Sequence, residues 1–195
     1  MTVKILLVDD EPSVGKAIAR LLRHGLAHGP SPAPNVEIFT DGHEALRRAH
    51  VETFALVISD YRMPLLNGVE LLSQMRLMQP DCTRVILSGY TDLNGLMKAI
   101  NESQIARFIA KPWNDHELLC TIQQLLQIQA LNLENIRLAD QTREREGLLS
   151  PQELERRRLE RADPGITRVN WGPDGSFILE EPAGDGGDFG DRPRG

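Results

Sequence analysis

Three aspartates, a serine and a lysine stand at or just beyond the ends of short apolar runs in this chain of 195 residues. Asp9 and Asp10 follow Lys4–Val8 (KILLV), and Asp60 follows Phe54–Ser59 (FALVIS). Ser88 closes Arg84–Ser88 (RVILS), and Lys111 comes directly after Arg107–Ala110 (RFIA). If these runs are parallel strands of one sheet, their carboxyl ends share a rim, which is where ligands bind in sheets of this kind. Three carboxylates on one rim repel each other unless a cation joins them. Hard oxygen ligands with room left for water and phosphate suit Mg²⁺. A lysine and a hydroxyl beside that cluster would bind the oxygens of an incoming phosphoryl group. One carboxylate could then be the nucleophile and form an aspartyl phosphate.

The chain must supply the sheet that this chemistry presumes. The four apolar runs, with Asn35–Phe39 (NVEIF) as a weaker fifth, read as buried strands. Between them Val14, Ile18, Leu21 and Leu22 repeat at helical spacing, as do Val69, Leu72 and Met75, and Leu93, Leu96, Met97 and Ile100. Strands and helices alternating in this way predict an α/β fold, a doubly wound five-stranded parallel sheet covered on both faces. Gly25–Pro34 (GLAHGPSPAP) is a longer helix-to-strand connection than usual.

A further helix begins at Asp115 and continues past the point where a domain-closing helix should stop. Leu119, Leu126 and Leu133 are seven apart, with Ile122, Gln129 and Ile136 between them. That is an apolar seam of about three heptads, the minimum for a coiled coil, fading at Asp140 and Gly147. Ser150-Pro151-Gln152-Glu153 reads as a capping box that starts a new helix, ending near Asp163-Pro164-Gly165. Ile166–Trp171, the turn Gly172–Gly175 and Ser176–Leu179 read as a hairpin, and the Gly- and Asp-rich stretch after Pro182 as disordered.

Composition divides the chain at the same place. The net charge of −6 lies wholly beyond Pro112, because residues 1–112 balance 12 basic against 12 acidic groups. Residues 113–195 hold 10 basic against 16 acidic. This balance does not suit a general polyanion binder. An aromatic content of 5% also argues against a base-stacking platform. No apolar run is long enough to span a membrane, and MTVKILLVDD does not resemble a signal peptide, so a cytoplasmic protein is expected. The two cysteines, Cys82 and Cys120, are too few for a disulfide scaffold and read as small core or near-surface residues.

Five motifs in order give the chain a close resemblance to the receiver domain of bacterial two-component response regulators. They are the acidic pair in Val8-Asp9-Asp10-Glu11, Asp60 in Ser59-Asp60-Tyr61-Arg62-Met63-Pro64, Gly68, Ser88-Gly89-Tyr90, and Lys111-Pro112. The resemblance covers about residues 3–125 and implies a flavodoxin-like sheet of order 2-1-3-4-5. It implies that Asp60 accepts phosphate from a sensor histidine kinase or phosphotransfer protein. It implies that Asp10, Asp60 and the backbone carbonyl of Arg62 coordinate Mg²⁺, with Asp9 acting directly or through water. Ser88 would bind a phosphoryl oxygen, Lys111 would pair with the phosphate, and Phe108 stands at the switch aromatic position. Ser88 replaces the commoner threonine, and Phe108 lacks the hydroxyl a tyrosine would bring, which makes any switch there one of packing. Arg62 and Tyr90 occupy variable positions that in this family influence phosphate lifetime. The expected organisation is a receiver over 1–125, an extended helix or coiled coil over 115–147, a helix over 150–163, a hairpin over 166–180 and a tail over 182–195.

Beyond the receiver there is no convincing helix-turn-helix, no P-loop and no GGDEF, EAL or HD-GYP motif. The expected function is therefore a phosphorelay regulator that catalyses only its own phosphorylation and dephosphorylation. It would signal to a downstream protein through its C-terminal extension, and residues 115–138 would offer a homodimer seam. The alternative is a phosphate-transfer intermediate or sink. Binding of DNA through Arg156–Arg161 is disfavoured by the acidic residues around it. His24 and His28 read as surface histidines rather than a metal pair. Trp171 and Phe177 could form a docking patch or fold back onto the chain.

Overall fold

In the computed structural model, which describes residues 2–27, 33–89, 104–145 and 150–162, the five apolar runs form strands β1 (Lys4–Val8), β2 (Asn35–Phe39), β3 (Leu56–Asp60), β4 (Thr83–Gly89) and β5 (Arg107–Lys111). All neighbours pair in parallel, in the order β2-β1-β3-β4-β5. The helices are α1 (Pro12–Gly25), α2 (Gly42–Val51), α3 (Gly68–Met78), α4 (Asp115–Arg145) and α5 (Pro151–Ala162). The fold is the flavodoxin-like one. The expected helix through Leu93 and Ile100, the hairpin over 166–180 and the tail over 182–195 lie outside the described residues.

Strand alternation builds two cores, one on each face of the sheet. Leu6, Val8, Val57 and Ile86 point to the face covered by α2 and α3, where they meet Leu46, Leu71, Leu72 and Met75. Ile5, Leu7, Ile58 and Val85 point to the other face, against Ile18 and Leu22 of α1 and Leu118 and Ile122 of α4. Burial of each such Leu or Ile contributes about 1.5–3 kcal/mol.

Local chemistry sets the helix starts. Asp41 caps α2 by accepting the N–H groups of His43 and Glu44. Asn67 and Glu70 form a reciprocal capping box on α3, and Ser150 and Glu153 do the same on α5. Gly25 ends α1 where a Cβ would lie 2.5 Å from the methyl carbons of Leu119, so its missing side chain is what lets α4 approach.

The seam read along α4 serves a different purpose from the one its spacing suggested. Ile122 is fully buried in the second core, and Leu119, Leu125 and Leu126 pack against the same cluster. Leu119, Ile122 and Leu126 therefore cover this chain's own sheet and are not open to a partner helix. Further along, Gln129 and Leu133 line a groove of about 570 Å³ with Thr53, Phe54, Pro80 and Arg157. Asp140, buried to 8% exposure, accepts hydrogen bonds from Arg143 and from Arg157 of α5. Arg157 thus ties α5 to α4.

No helix among the described residues is long and apolar enough to cross a membrane.

Candidate functional site

Parallel register carries the ends of β1, β3, β4 and β5 to one rim. Asp60 is the last residue of β3 and pairs with Leu87, while Gly89 pairs with Lys111. Asp9 leaves β1 with its N–H on the carbonyl of Phe39.

Lys111 joins the two carboxylates that this geometry brings together. Its Nζ lies 2.8 Å from Asp9 Oδ2 and 2.5 Å from Asp60 Oδ1. The remaining oxygens are also used, because Asp9 Oδ1 accepts the Glu11 N–H at 3.0 Å and Asp60 Oδ2 accepts the Arg62 N–H at 3.0 Å. Both carboxylates are buried, at 1% and 6% exposure. Burial pushes the Asp60 carboxyl above its ordinary value. The hydrogen bond and charge of Lys111 pull it down, and Asp9 pushes it up again. For Lys111, burial acts to lower the value, but its bonds to Asp60 and Asp9 outweigh that and hold the ammonium above its ordinary range. The result is a lysine firmly charged beside an aspartate whose ionisation is only partly compensated.

The third carboxylate departs from the expectation of a shared cluster. Asp10 is exposed at the start of the β1–α1 connection, and among the described residues no three acidic, histidine or cysteine side chains converge. Asp9 and Asp60 are instead bridged by Lys111. The donors nonetheless fit Mg²⁺ in kind, since carboxylates and a backbone carbonyl are hard oxygen ligands.

The other expected residues flank this pair. Ser88 is buried beside the rim on β4, and its hydroxyl donates to the Gly89 carbonyl at 3.4 Å. Phe108 pairs with Ile86 and is half-buried against the first core. Arg62 has an exposed side chain in the β3–α3 connection. The Lys111–Pro112 peptide is cis. Tyr90 and His28 lie outside the described residues. The Cys82 thiol is buried and pushed up to about 12, which leaves it chemically inert.

Two supports of Asp60 went unassigned in the sequence. The hydroxyl of Ser59 donates to the Asp60 carbonyl at 2.9 Å. Gly68 donates its N–H to the Tyr61 carbonyl, and a Cβ there would stand 2.0 Å from the Asp60 carbonyl oxygen. Gly68 thus lets the start of α3 pass close against the backbone of Asp60. Its place eight residues after Asp60 was visible, but the tightness of the contact was not.

Residues 5–123 match the family described as the response regulator receiver domain. The chain is 31% identical over 134 residues to the hydrogenase transcriptional regulatory protein HoxA of Cupriavidus necator. That alignment takes in 69% of this chain and 26% of HoxA, so the chain spans about a quarter of that regulator's length. Among solved structures, it is similar to the signal receiver domain of an HD domain-containing protein from Pseudomonas fluorescens. That likeness has 32% identity and a TM-score of 0.61, over 68% of this chain and 93% of the other. A CheY-like response regulator receiver domain protein from Methanospirillum hungatei matches with a TM-score of 0.61 and 25% identity, over 68% of this chain and 99% of its own.

Proposed function

The chain belongs to the response regulator receiver domain family of two-component systems, and on that footing we propose that Asp60 accepts a phosphoryl group from a phosphohistidine and that the signal leaves through protein contacts of the C-terminal extension. The observation that carries this reading is the buried Asp60 carboxylate held 2.5 Å from Lys111 at the carboxyl end of the sheet.

The chemistry follows from those groups. A carboxylate oxygen of Asp60 attacks phosphorus, the phosphorus–nitrogen bond of the donor breaks, and the electron pair leaves with the imidazole. Lys111, freed from part of its contact with Asp60, pairs with a phosphoryl oxygen, and the Ser88 hydroxyl donates to another. Asp10, Asp60 and the Arg62 carbonyl would hold Mg²⁺, with Asp9 direct or through water. The ion would offset charge on the phosphoryl oxygens. Any catalysis is limited to the chain's own phosphorylation and dephosphorylation. Movement of Ser88 toward the phosphoryl group vacates space on β4, and Phe108 on the neighbouring strand repacks inward. Phosphorylation thereby shifts the receiver between two packings.

Incubation with phosphoramidate and Mg²⁺ tests this. The wild-type chain should gain one phosphoryl group by intact mass, and Asp60→Asn none. Equal labelling of the two would reject the site.

A second reading is favoured by the transcriptional names of relatives such as HoxA and HptR of Staphylococcus aureus. In it, the arginines of α5 contact DNA. Retention of the full chain on a duplex, falling steeply with salt and lost in Arg156→Glu with Arg158→Glu, would establish it.

A further inference from the structure

At the amino end of the sheet, opposite the end that holds Asp60, the receiver and its extension line one groove. Thr53 and Phe54 precede β3, Pro80 and Cys82 precede β4, Leu133 lies on α4 and Glu160 on α5. The space between them is about 570 Å³. A cavity of roughly 150 Å³ already takes up a benzene ring, so this groove has room for two aromatic side chains. Helix α5, which forms one wall, is poorly provided for by what touches it. Seven of its 12 residues are charged, Leu159 is 42% exposed, and Arg157 holds it to Asp140 of α4 at 3.2 Å. A helix of this length is marginal in water and owes its stability to packing.

We propose that residues 166–179 of the same chain seat Trp171 and Phe177 in this groove, closing the C-terminal extension onto the amino end of its own receiver sheet. The chain leaves α5 at Ala162, two residues after Glu160 in the groove wall. Ile166 is six residues beyond Glu160 and Phe177 seventeen. At up to about 3.3–3.6 Å per residue, both can reach any part of the groove. The composition of the segment fits the space. Beyond Trp113 the chain has three aromatic residues, Trp171, Phe177 and Phe189, and two of them fall here with Ile166, Val169, Ile178 and Leu179. Arg168 and Asp174 are its charged residues, so it brings no net charge to the groove.

Tethering favours this occupant over any other. A segment joined to the groove wall by a few residues meets the groove at an effective concentration of roughly millimolar, which a second copy or another protein must exceed by affinity. Seated between α5 and the sheet, the segment also supplies the apolar packing that α5 otherwise lacks. The inference goes beyond the proposed function and does not rest on it, because the groove and Asp60 lie at opposite ends of the sheet.

Trp171 reports on its own surroundings once Trp113→Phe makes it the only tryptophan of the full chain. Acrylamide quenching of its fluorescence should be several-fold weaker than in the free peptide 163–195, and equally weak at every protein concentration. Leu133→Glu and Thr53→Glu bring a carboxylate into the groove from opposite walls, and each should raise quenching to near the peptide's value. Thr53 is exposed, so its variant should keep the melting temperature of the receiver. Quenching as strong in the chain as in the peptide would overturn the proposal, because Trp171 would then stand in water and the groove would be open to a different partner. Shielding that both groove variants leave intact would overturn it too, since the segment would then pack elsewhere. Shielding that grows with concentration would overturn it by showing the groove filled from a second copy.

Discussion

The ammonium of Lys111, at the end of β5, reaches across β4 to lie 2.5 Å from the Asp60 carboxylate at the end of β3. The two strands do not pair with each other, so only the order of the sheet and the parallel register of both with β4 make this contact. The same ammonium takes up Asp9 from β1. One lysine thus ties three strand ends together, and the consequences can be measured.

Replacing Asp60 with asparagine should stabilise the metal-free protein at neutral pH. Burial raises the Asp60 carboxyl in the folded state, so the folded chain holds that proton more firmly than the unfolded chain. The wild type therefore loses stability as pH rises from the ordinary carboxylate range to the folded value, and Asp60→Asn does not. Melting curves of the two should coincide in acid and separate toward neutrality, with the variant higher by a few degrees. A variant that melts lower at neutral pH would mean that the Lys111 contact outweighs burial.

Lys111→Met should destabilise the fold at neutral pH and leave the wild type the better protein until strongly alkaline conditions. The raised ammonium contributes stability below its ordinary value, and that contribution is lost as pH climbs through the folded one. Removing it leaves Asp9 and Asp60 buried together. Chemical denaturation across pH, with and without Mg²⁺, reads the effect, and added Mg²⁺ should recover part of the loss. No recovery would count against the metal ligands proposed here.

Gly68→Ala places a methyl group 2.0 Å from the Asp60 carbonyl oxygen. Relief requires the β3–α3 connection to shift, at a cost of roughly 1–3 kcal/mol. The urea midpoint should fall accordingly, and phosphoramidate labelling should slow. Unchanged labelling would show that Asp60 tolerates movement of its own backbone.

The two faces of α4 should respond oppositely to truncation. Ile122 is fully buried, so Ile122→Ala should cost about 2–5 kcal/mol. Leu131 is 65% exposed, and Leu131→Ala should change the stability of the monomer by less than about 0.5 kcal/mol. Similar losses at both positions would contradict the assignment of the faces.

Gln79 holds a junction of three elements at 5% exposure. Its Oε1 accepts the Phe54 N–H, and its Nε2 donates to the carbonyls of Ala49 and Glu52. Gln79→Ala should cost roughly 2–3 kcal/mol through the unpaired groups left behind. Gln79→Glu should be worse at neutral pH than in acid, because a carboxylate cannot donate to either carbonyl.

Much of this was legible in the residues, for reasons that differ between elements. The strands read clearly because parallel strands are apolar on both faces, and KILLV and RVILS have no other comfortable environment. Asp60 and Lys111 could be placed because each lies at the boundary of such a run. The start of β3 was harder to see. Phe54 resembles its first residue, but its N–H goes to the side chain of Gln79, 25 positions away, and the ladder begins at Leu56. The exposure of Asp10 was not visible either, since adjacent aspartates after a strand look alike in sequence while only Asp9 turns in to meet Lys111. The seam through Leu119, Ile122 and Leu126 was ambiguous in principle. Over three heptads, a helix packing on a sheet and one packing on a twin differ by only about 20° per heptad. The stripe went to the chain's own core.

Locating the phosphoryl group tests the central claim most directly. After phosphoramidate treatment, borohydride reduction converts an aspartyl phosphate to homoserine, and peptide sequencing by mass spectrometry finds it. Conversion confined to Asp60, and absent without Mg²⁺, is the predicted result. Homoserine at Asp9 or Asp10, or labelling that resists borohydride altogether, would contradict it.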